Sequence, residues 1–396
     1  MLTISNIHKE LHGDWTRLVV DIDFGDIKTP FTEKTMWFAV KNENADMLTD
    51  QTYDAFVLIP LYLAMYFHTD LHICGKMSKL LYQNIKWYIR QIFCDFSEDL
   101  SMVNVKADGF TSIQGKGNII GTGISCGIDS LSTIMDHFVK EKDPDYRINT
   151  LFIFNCGTHG DYENKASHQL YEERYELNKK AADELGLPVI QVSSNVHAFT
   201  HKIGEQKMGY IAIYSCAYSL QKVIDKYYTS STYSYEQVKK YGKRDFDMAE
   251  FCESYLIPLL QTEHTRLIID GCQYRRSQKT ENIAEWDVAQ RHLNVCVNST
   301  DGSNCCICPK CMRTLVPLEA LGKLDSFNQV FDLMKYRKNA YNAKCKMVGH
   351  YGVDGFDTDN VDFARKHNLA MPSRTNALVN EFFTGGSTYV RKTRSA

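Results

Sequence analysis

Residues 118–140 read NIIGTGISCGIDSLSTIMDHFVK, and their interpretation decides the fold. NIIGTGI has the apolar, β-compatible character of a buried strand, and DSLSTIMDHFVK repeats apolar residues at helical spacing. Between them lies Ser125-Cys126-Gly127-Ile128-Asp129-Ser130. A tight turn from strand to helix aims backbone N–H groups and the positive helix end at an anion. Small residues let the backbone approach a phosphate closely, and the serine hydroxyls add donors. Asp129 is placed either to cap the helix or to help hold a Mg2+ shared with phosphates. The plainer alternative is a capped helix start after a glycine turn.

The rhythm continues on the C-terminal side. INTLFIFNCG reads as a strand and HQLYEERYELNKKAADELG as a long helix ending at Gly186, with Pro188 beyond it. LPVIQVSS, KYYTSSTY and TRLIIDGC read as further strands, with IAIYSCAYSLQKVI and FCESYLIPLLQT as helices between them. Alternation of this kind predicts α/β architecture, a doubly wound, mostly parallel sheet covered on both faces. On the N-terminal side, LVVDIDFGD and TMWFAV read as strands, and DAFVLIPLYLAMYF and MSKLLYQNIKWYIRQIF as buried or amphipathic helices. VNVKADGFTSIQGKGN has few apolar residues and several glycines, which predicts a boundary near 110. The expected division is a smaller N-terminal α/β domain (1–110), a nucleotide-binding domain (111–325), and C-terminal helices with a mobile tail (326–396). Trp37, Tyr53 and Trp87 are expected in the core of the first of these.

A second motif follows at CVNSTDGSNCCICPKC, where Cys296, Cys305, Cys308 and Cys311 have metal-ligand spacing. Four thiolates close a tetrahedron around Zn2+ with no position left for water, so the expected role is structural. A nucleic-acid zinc ribbon would need two spaced knuckles in a basic surround, and only Lys310 and Arg313 lie close by.

The 396 residues carry 45 basic and 48 acidic side chains, net −3, with 44% hydrophobic and 12% aromatic content. That balance suits a globular protein with sizeable cores and argues against a duplex nucleic-acid partner. MLTISNIHKELHGDW lacks the basic-then-apolar pattern of a secretory signal. The apolar run from Ala55 to Phe67 is too short to span a bilayer. Thirteen cysteines without export signals predict reduced thiols in the cytoplasm.

SCGIDSLST resembles the S-G-G-x-D-S loop of the PP-loop ATP pyrophosphatases, whose sheet is of the HUP type. Within that superfamily the cysteine pattern is similar to the 7-cyano-7-deazaguanine synthase family. That family has Cys, eight residues, then C-G-x-C-x-x-C with an Arg close behind, after a K-T/S-x-x-I helix. Here Cys296, Cys305-Cys306-Ile307-Cys308, Cys311 and Arg313 match the layout, and Lys279-Thr280-Glu281-Asn282-Ile283 occupies the K-T-x-x-I place. The resemblance spans roughly 118–325 and departs at two glycines, replaced by Cys126 and Cys306. Cys306 is then a spare ligand or simply a small residue. Where φ is positive, cysteine is the poorer residue.

The resemblance implies ATP, Mg2+ and Zn2+ as cofactors. Ser125, Cys126, Gly127, Ile128, Asp129 and Ser130 would contact the pyrophosphate. Arg276 (or its neighbour Arg275) and Lys279 would act with Asp129 in catalysis, neutralising the α-phosphate and the leaving group. Asn155 and Gly157, in the loop Asn155-Cys156-Gly157-Thr158-His159-Gly160 after a strand, would line the adenine pocket, with Ser193 and Ser194 as weaker candidates. Asp270-Gly271 is a similar strand-end loop, and His159 a candidate acid or base. The implied reaction adenylates a carboxylate of a small molecule or modified base, and ammonia then gives an amide or nitrile. The N-terminal segment would set specificity, and a homodimer is compatible with these features. Two other readings stand beside it. One is sulfur transfer, with Cys126 or Cys156 as carrier; the other is a non-catalytic, nucleotide-binding, zinc-stabilised assembly protein.

Overall fold

The computed structural model describes every residue except 114, 158–164, 204, 242–248, 297, 299–301 and 385–396. Its strands are β1 (Leu2–His12), β2 (Trp15–Asp23), β3 (Thr35–Lys41), β4 (Leu71–Met77), β5 (Val105–Phe110), β6 (Ile119–Gly123), β7 (Thr150–Asn155), β8 (Val189–Ser194), β9 (Ile224–Ser230) and β10 (Arg266–Asp270). They form one ten-stranded sheet in the order β10-β9-β6-β7-β8-β3-β2-β1-β4-β5. The pairings among β6 to β10 are all parallel, as are β1 with β4 and β4 with β5. Three antiparallel pairings, β1 with β2, β2 with β3 and β3 with β8, join the two parallel stretches. The protein is therefore α/β with a large, mostly parallel sheet.

Read as 1 to 5 in chain order, β6 to β10 lie in the spatial order 3-2-1-4-5. The direction of winding reverses between β6 and β9, where open α/β sheets place ligands beyond the strands' carboxyl ends. The central strand β7, TLFIFN, is buried at its first five positions, as an unbroken apolar run in a covered sheet should be.

The chain divides into two compact units, 1–124 with 136–272, and 125–135 with 273–396. This differs from the expected boundary near 110. Phe38 and Ala39 of β3 pair with Ser194 and Ser193 of β8, so the N-terminal strands continue the same sheet. The glycine-containing stretch around 110 contains β5, an edge strand whose half-buried positions alternate with exposed Lys106, Asp108 and Phe110. Residues 326–384 belong to the same unit as the loop Ser125–Ser130, and the tail 385–396 lies outside the described residues.

The apolar run from Ala55 forms the helix Leu58–Tyr66, buried over its first eight residues. Pro60 sits in its first turn, where the missing N–H has no intrahelical acceptor to lose. Tyr53 and Trp37 are buried as expected, whereas Trp87 is 64% exposed and lies in the π-helical turn Ile85–Ile89. Among the described residues no helix is long and apolar enough to cross a membrane.

Candidate functional site

Two residues past β6 the chain enters the loop, and Cys126 adopts φ 53°. That left-handed conformation turns the chain toward the helix Ile128–Ile134, and the Cys126 carbonyl is held by the Asn294 N–H at 2.8 Å. Ser130 Oγ donates to the Gly127 carbonyl at 3.2 Å and lies 3.1 Å from Ser125 Oγ, which accepts from the Gly127 N–H at 3.3 Å. Gly127, at the N-cap, makes no side-chain cap, so the first-turn amides keep their affinity for an anion. Ser125 is exposed, while Cys126 and Ile128 are buried. Burial pushes the Cys126 thiol up to about 12.

Asp129 does not cap the helix. One of its oxygens accepts from Arg276 Nη1 at 2.6 Å and the other from Lys279 Nζ at 3.2 Å. The Lys279 side chain is 1% exposed, Arg276 9% and Asp129 26%. Burial alone would raise the Asp129 carboxyl. The two cations outweigh it and hold the group below its ordinary value. Both come from the helix Arg276–Ile283, where they lie three residues apart and share a face. Arg275 instead lies 3.6 Å from Asp362, so Arg276 is the arginine of this site.

The supports of that helix are distant in sequence. Asp359, 2% exposed, accepts from both the Ser277 N–H (2.9 Å) and Ser277 Oγ (2.6 Å). Asn282 Nδ2 donates to Ser132 Oγ at 3.0 Å, tying it to the loop's own helix. The sequence reading missed Asp359 and Ser132, because a contact spanning 82 or 150 residues leaves no local signal.

The four cysteines converge. Sγ atoms of Cys296, Cys305, Cys308 and Cys311 all lie within 4.8 Å of one another, with Cys296–Cys308 and Cys305–Cys311 both at 3.9 Å. Four ligands at ~2.3 Å around tetrahedral Zn2+ stand ~3.8 Å apart, so the group fits that ion. Amides of Asn298, Cys308 and Cys311 point at the sulfurs of Cys296, Cys305 and Cys308 at 3.3–3.5 Å. Burial opposes ionisation of Cys305, but the Ile307 and Cys308 amides bring its thiol down to about 7. Cys306 stands outside the cluster at φ 62°; its thiol donates to the Asn304 carbonyl and accepts from the Asp332 N–H, each at 3.2 Å. Arg313 is not at the Asp129 site. It pairs with Asp357 (2.8 Å) and Asp354 (3.0 Å), joining the helix Pro309–Ala320 to the helix Gly355–Lys366.

In the first unit, Asn155 and Ser193 are register partners at the carboxyl ends of β7 and β8. Gly157 has φ 108°, and a Cβ there would sit 2.6 Å from the buried His197 ring, so no other residue fits without displacing His197. Thr158, His159 and Gly160 lie outside the described residues. Ser194 is buried and accepts from the Val196 N–H. Asp270, at the end of β10, lies 3.0 Å from His137 Nε2, and the His137 ring stacks on Tyr228 at 3.9 Å. His137 was not singled out in the sequence, where nothing distinguishes it from any histidine on a helix.

Compared with family models, curated proteins and solved structures, the chain matches none of them.

Proposed function

We propose that the chain is a PP-loop ATP pyrophosphatase that adenylates a substrate carboxylate and passes the acyl group to ammonia. The observation that carries this reading is the pairing of loop residue Asp129 with two buried cations, Arg276 and Lys279. Buried lysine and arginine are costly to maintain, and here both are brought to one carboxylate beside a helix N-terminus. That is the electrostatic environment a pyrophosphate leaving group needs. Support also comes from the 3-2-1-4-5 strand order, which gives β6 the switch-point position from which the loop departs.

In the proposed reaction a carboxylate oxygen attacks the α-phosphorus, and the bond to the β-phosphate oxygen breaks with release of pyrophosphate. The ammonia lone pair then attacks the acyl carbon; AMP leaves, one proton is lost, and an amide results. Ser125, Ser130 and the first-turn amides would hold the phosphates. Arg276 and Lys279 would stabilise charge as it moves to the leaving oxygen, and Asp129 would keep both in place. Each Asp129 oxygen retains a lone pair, so Asp129 could also hold Mg2+, which would supply positive charge to the phosphates. The zinc cluster would brace the segment leading from the Lys279 helix to the helix Pro309–Ala320.

Sulfur transfer through Cys126 fits less well, since a 1% exposed thiol pushed up to about 12 offers no thiolate at neutral pH. Cys156 is 3% exposed and packs against Cys216, itself fully buried. The test is release of AMP and pyrophosphate from ATP and Mg2+ with a panel of carboxylic acids, each with ammonium or sulfide. AMP formation that depends on one acid and on ammonium supports the proposal. Nucleotide binding without AMP across the panel would favour the non-catalytic assembly protein.

A further inference from the structure

The β5 edge of the sheet carries a second set of metal-ligating side chains that the proposed chemistry does not use. In β4, Leu71, Ile73 and Met77 are buried in the first unit's core. His72 and Cys74 alternate with the first two, so they share the other face of the strand. The parallel partner β5 runs in register up to Ile73 with Ala107, then slips by one residue before Lys76 with Gly109. The slip sets Asp108 beside the pair: His72 Nε2 lies 2.8 Å from Asp108 Oδ1, and Cys74 Sγ lies 4.0 Å from the same nitrogen. One ligand atom from each residue falls within 4.8 Å of the others. Irregular pairing at a sheet edge is a recurrent way to re-aim side chains toward a site.

We propose that His72, Cys74 and Asp108 form a second metal site, open to solvent, for a borderline-soft divalent ion of the zinc class. Bonds of ~2.0–2.3 Å around a tetrahedral ion separate its ligand atoms by ~3.3–3.6 Å. The His72–Asp108 contact of 2.8 Å is shorter than that, Cys74 Sγ lies 3.7 Å from Nδ1 and 4.0 Å from Nε2 of His72, and all three ligand atoms fall within 4.8 Å of one another. Side-chain rotation must close the set around an ion, and the Asp108 side chain, 49% exposed, has room for it. On binding, the thiol proton leaves to solvent and the imidazole carries its proton on Nδ1, freeing Nε2 as the ligand. A thiolate in the set disfavours Mg2+ and Ca2+, which take oxygen ligands. Three protein ligands leave a fourth position for water or a small molecule, unlike the closed four-cysteine cluster. Such an open site binds more weakly and exchanges faster.

The full chain, equilibrated with buffered Zn2+ and analysed for bound metal, tests this directly. Two zinc ions per chain are expected, one surrendered early to a competing chelator and one retained. Cys74→Ser and His72→Gln should each remove only the early-exchanging ion, and Asp108→Asn should weaken it ~10-fold or more. With Co2+ as probe, Cys74→Ser should delete a thiolate-to-metal absorption increment while the four-cysteine signal persists. A wild-type chain that saturates at one ion, or a His72→Gln chain that still binds two, overturns the proposal. His72→Gln decides the matter if Cys74→Ser does not fold.

Discussion

Replacing Lys279 by methionine separates the site's electrostatic role from its structural one. In the native protein Asp129 accepts from Arg276 at 2.6 Å and from Lys279 at 3.2 Å. Lys279→Met removes its charge-assisted hydrogen bond to Asp129, worth about 1.5–3 kcal/mol. It also abolishes the desolvation cost of an ammonium that is 1% exposed, and the methionine fills most of the vacated space. Asp129 keeps Arg276, and a net loss of stability below about 2 kcal/mol is expected. Asp129→Ala is the harsher change: it leaves both cations without their carboxylate, at about 3–5 kcal/mol. Urea unfolding should therefore rank Asp129→Ala well below Lys279→Met. Activity should not follow that ranking. Loss of one positive donor to developing charge typically costs ~10²–10³-fold in rate, so Lys279→Met should nearly abolish AMP release while remaining folded. Equal destabilisation by the two variants, or Lys279→Met turnover close to wild type, would refute the reasoning.

Four further outcomes are expected. Because the Asp129 carboxyl is held below its ordinary value, its contribution is complete above about pH 4 and disappears as pH falls through the lowered value; urea midpoints of wild type and Lys279→Met should converge only below pH 4. Asp54 is the opposite case: burial pushes it up to about 6 despite hydrogen bonds from Gln221 and the Ser78 N–H. The native state then holds this proton longer than the unfolded chain, so stability falls as pH rises from about 4 to 6, and Asp54→Asn should flatten that slope in urea unfolding. Cys311→Ser should release the tightly held zinc and lower the melting temperature, and a strong chelator should do the same to wild type, both read by metal analysis and calorimetry. Cys126→Gly relieves a left-handed residue and loses a small buried thiol, so its stability should stay within about 1 kcal/mol of wild type, whereas Cys126→Ala keeps the strain and should be the less stable of the two.

The strands β6 to β10 and the four-cysteine cluster were legible because their signals are local. An apolar run bounded by turn residues and a fixed thiol spacing need no partner to be recognised. Of the N-terminal strands, β2 and β3 are legible as alternating or apolar runs, while β1, β4 and β5 are not. β5 reads VKADGF, with aspartate and glycine where strand formers are usual, and the sheet tolerates them because an edge position is paired on one side only. The join between β3 and β8 rests on pairs such as Phe38 with Ser194, and neither residue advertises the other. Trp87 was placed in the core on residue type alone, but the turn Ile85–Ile89 buries Ile85 and Ile89 and leaves Trp87 facing solvent. At the candidate site, Lys279 and Asp129 were found from motif positions. Asp359 was not, because an aspartate fixing a helix from 82 residues away looks like any other until the chain is folded.

The two cysteines that stand where the resembled family has glycine bear on how such departures should be weighed. Both residues are left-handed, Cys126 at φ 53° and Cys306 at φ 62°. For a residue with a Cβ that conformation costs about 1–2 kcal/mol, so it persists only where the surroundings fix it from several sides. They do so here. The Asn294 amide holds the Cys126 carbonyl, and the Cys306 sulfur is held by the Asn304 carbonyl and the Asp332 amide. A chain that had lost its use for these turns would be expected to relax into right-handed or extended backbone, since the cysteine side chain pushes it that way. The glycine-type turn is thus kept in spite of the side chain at both segments, Ser125–Ser130 and the four-cysteine cluster, because each is held by hydrogen bonds from elsewhere in the chain.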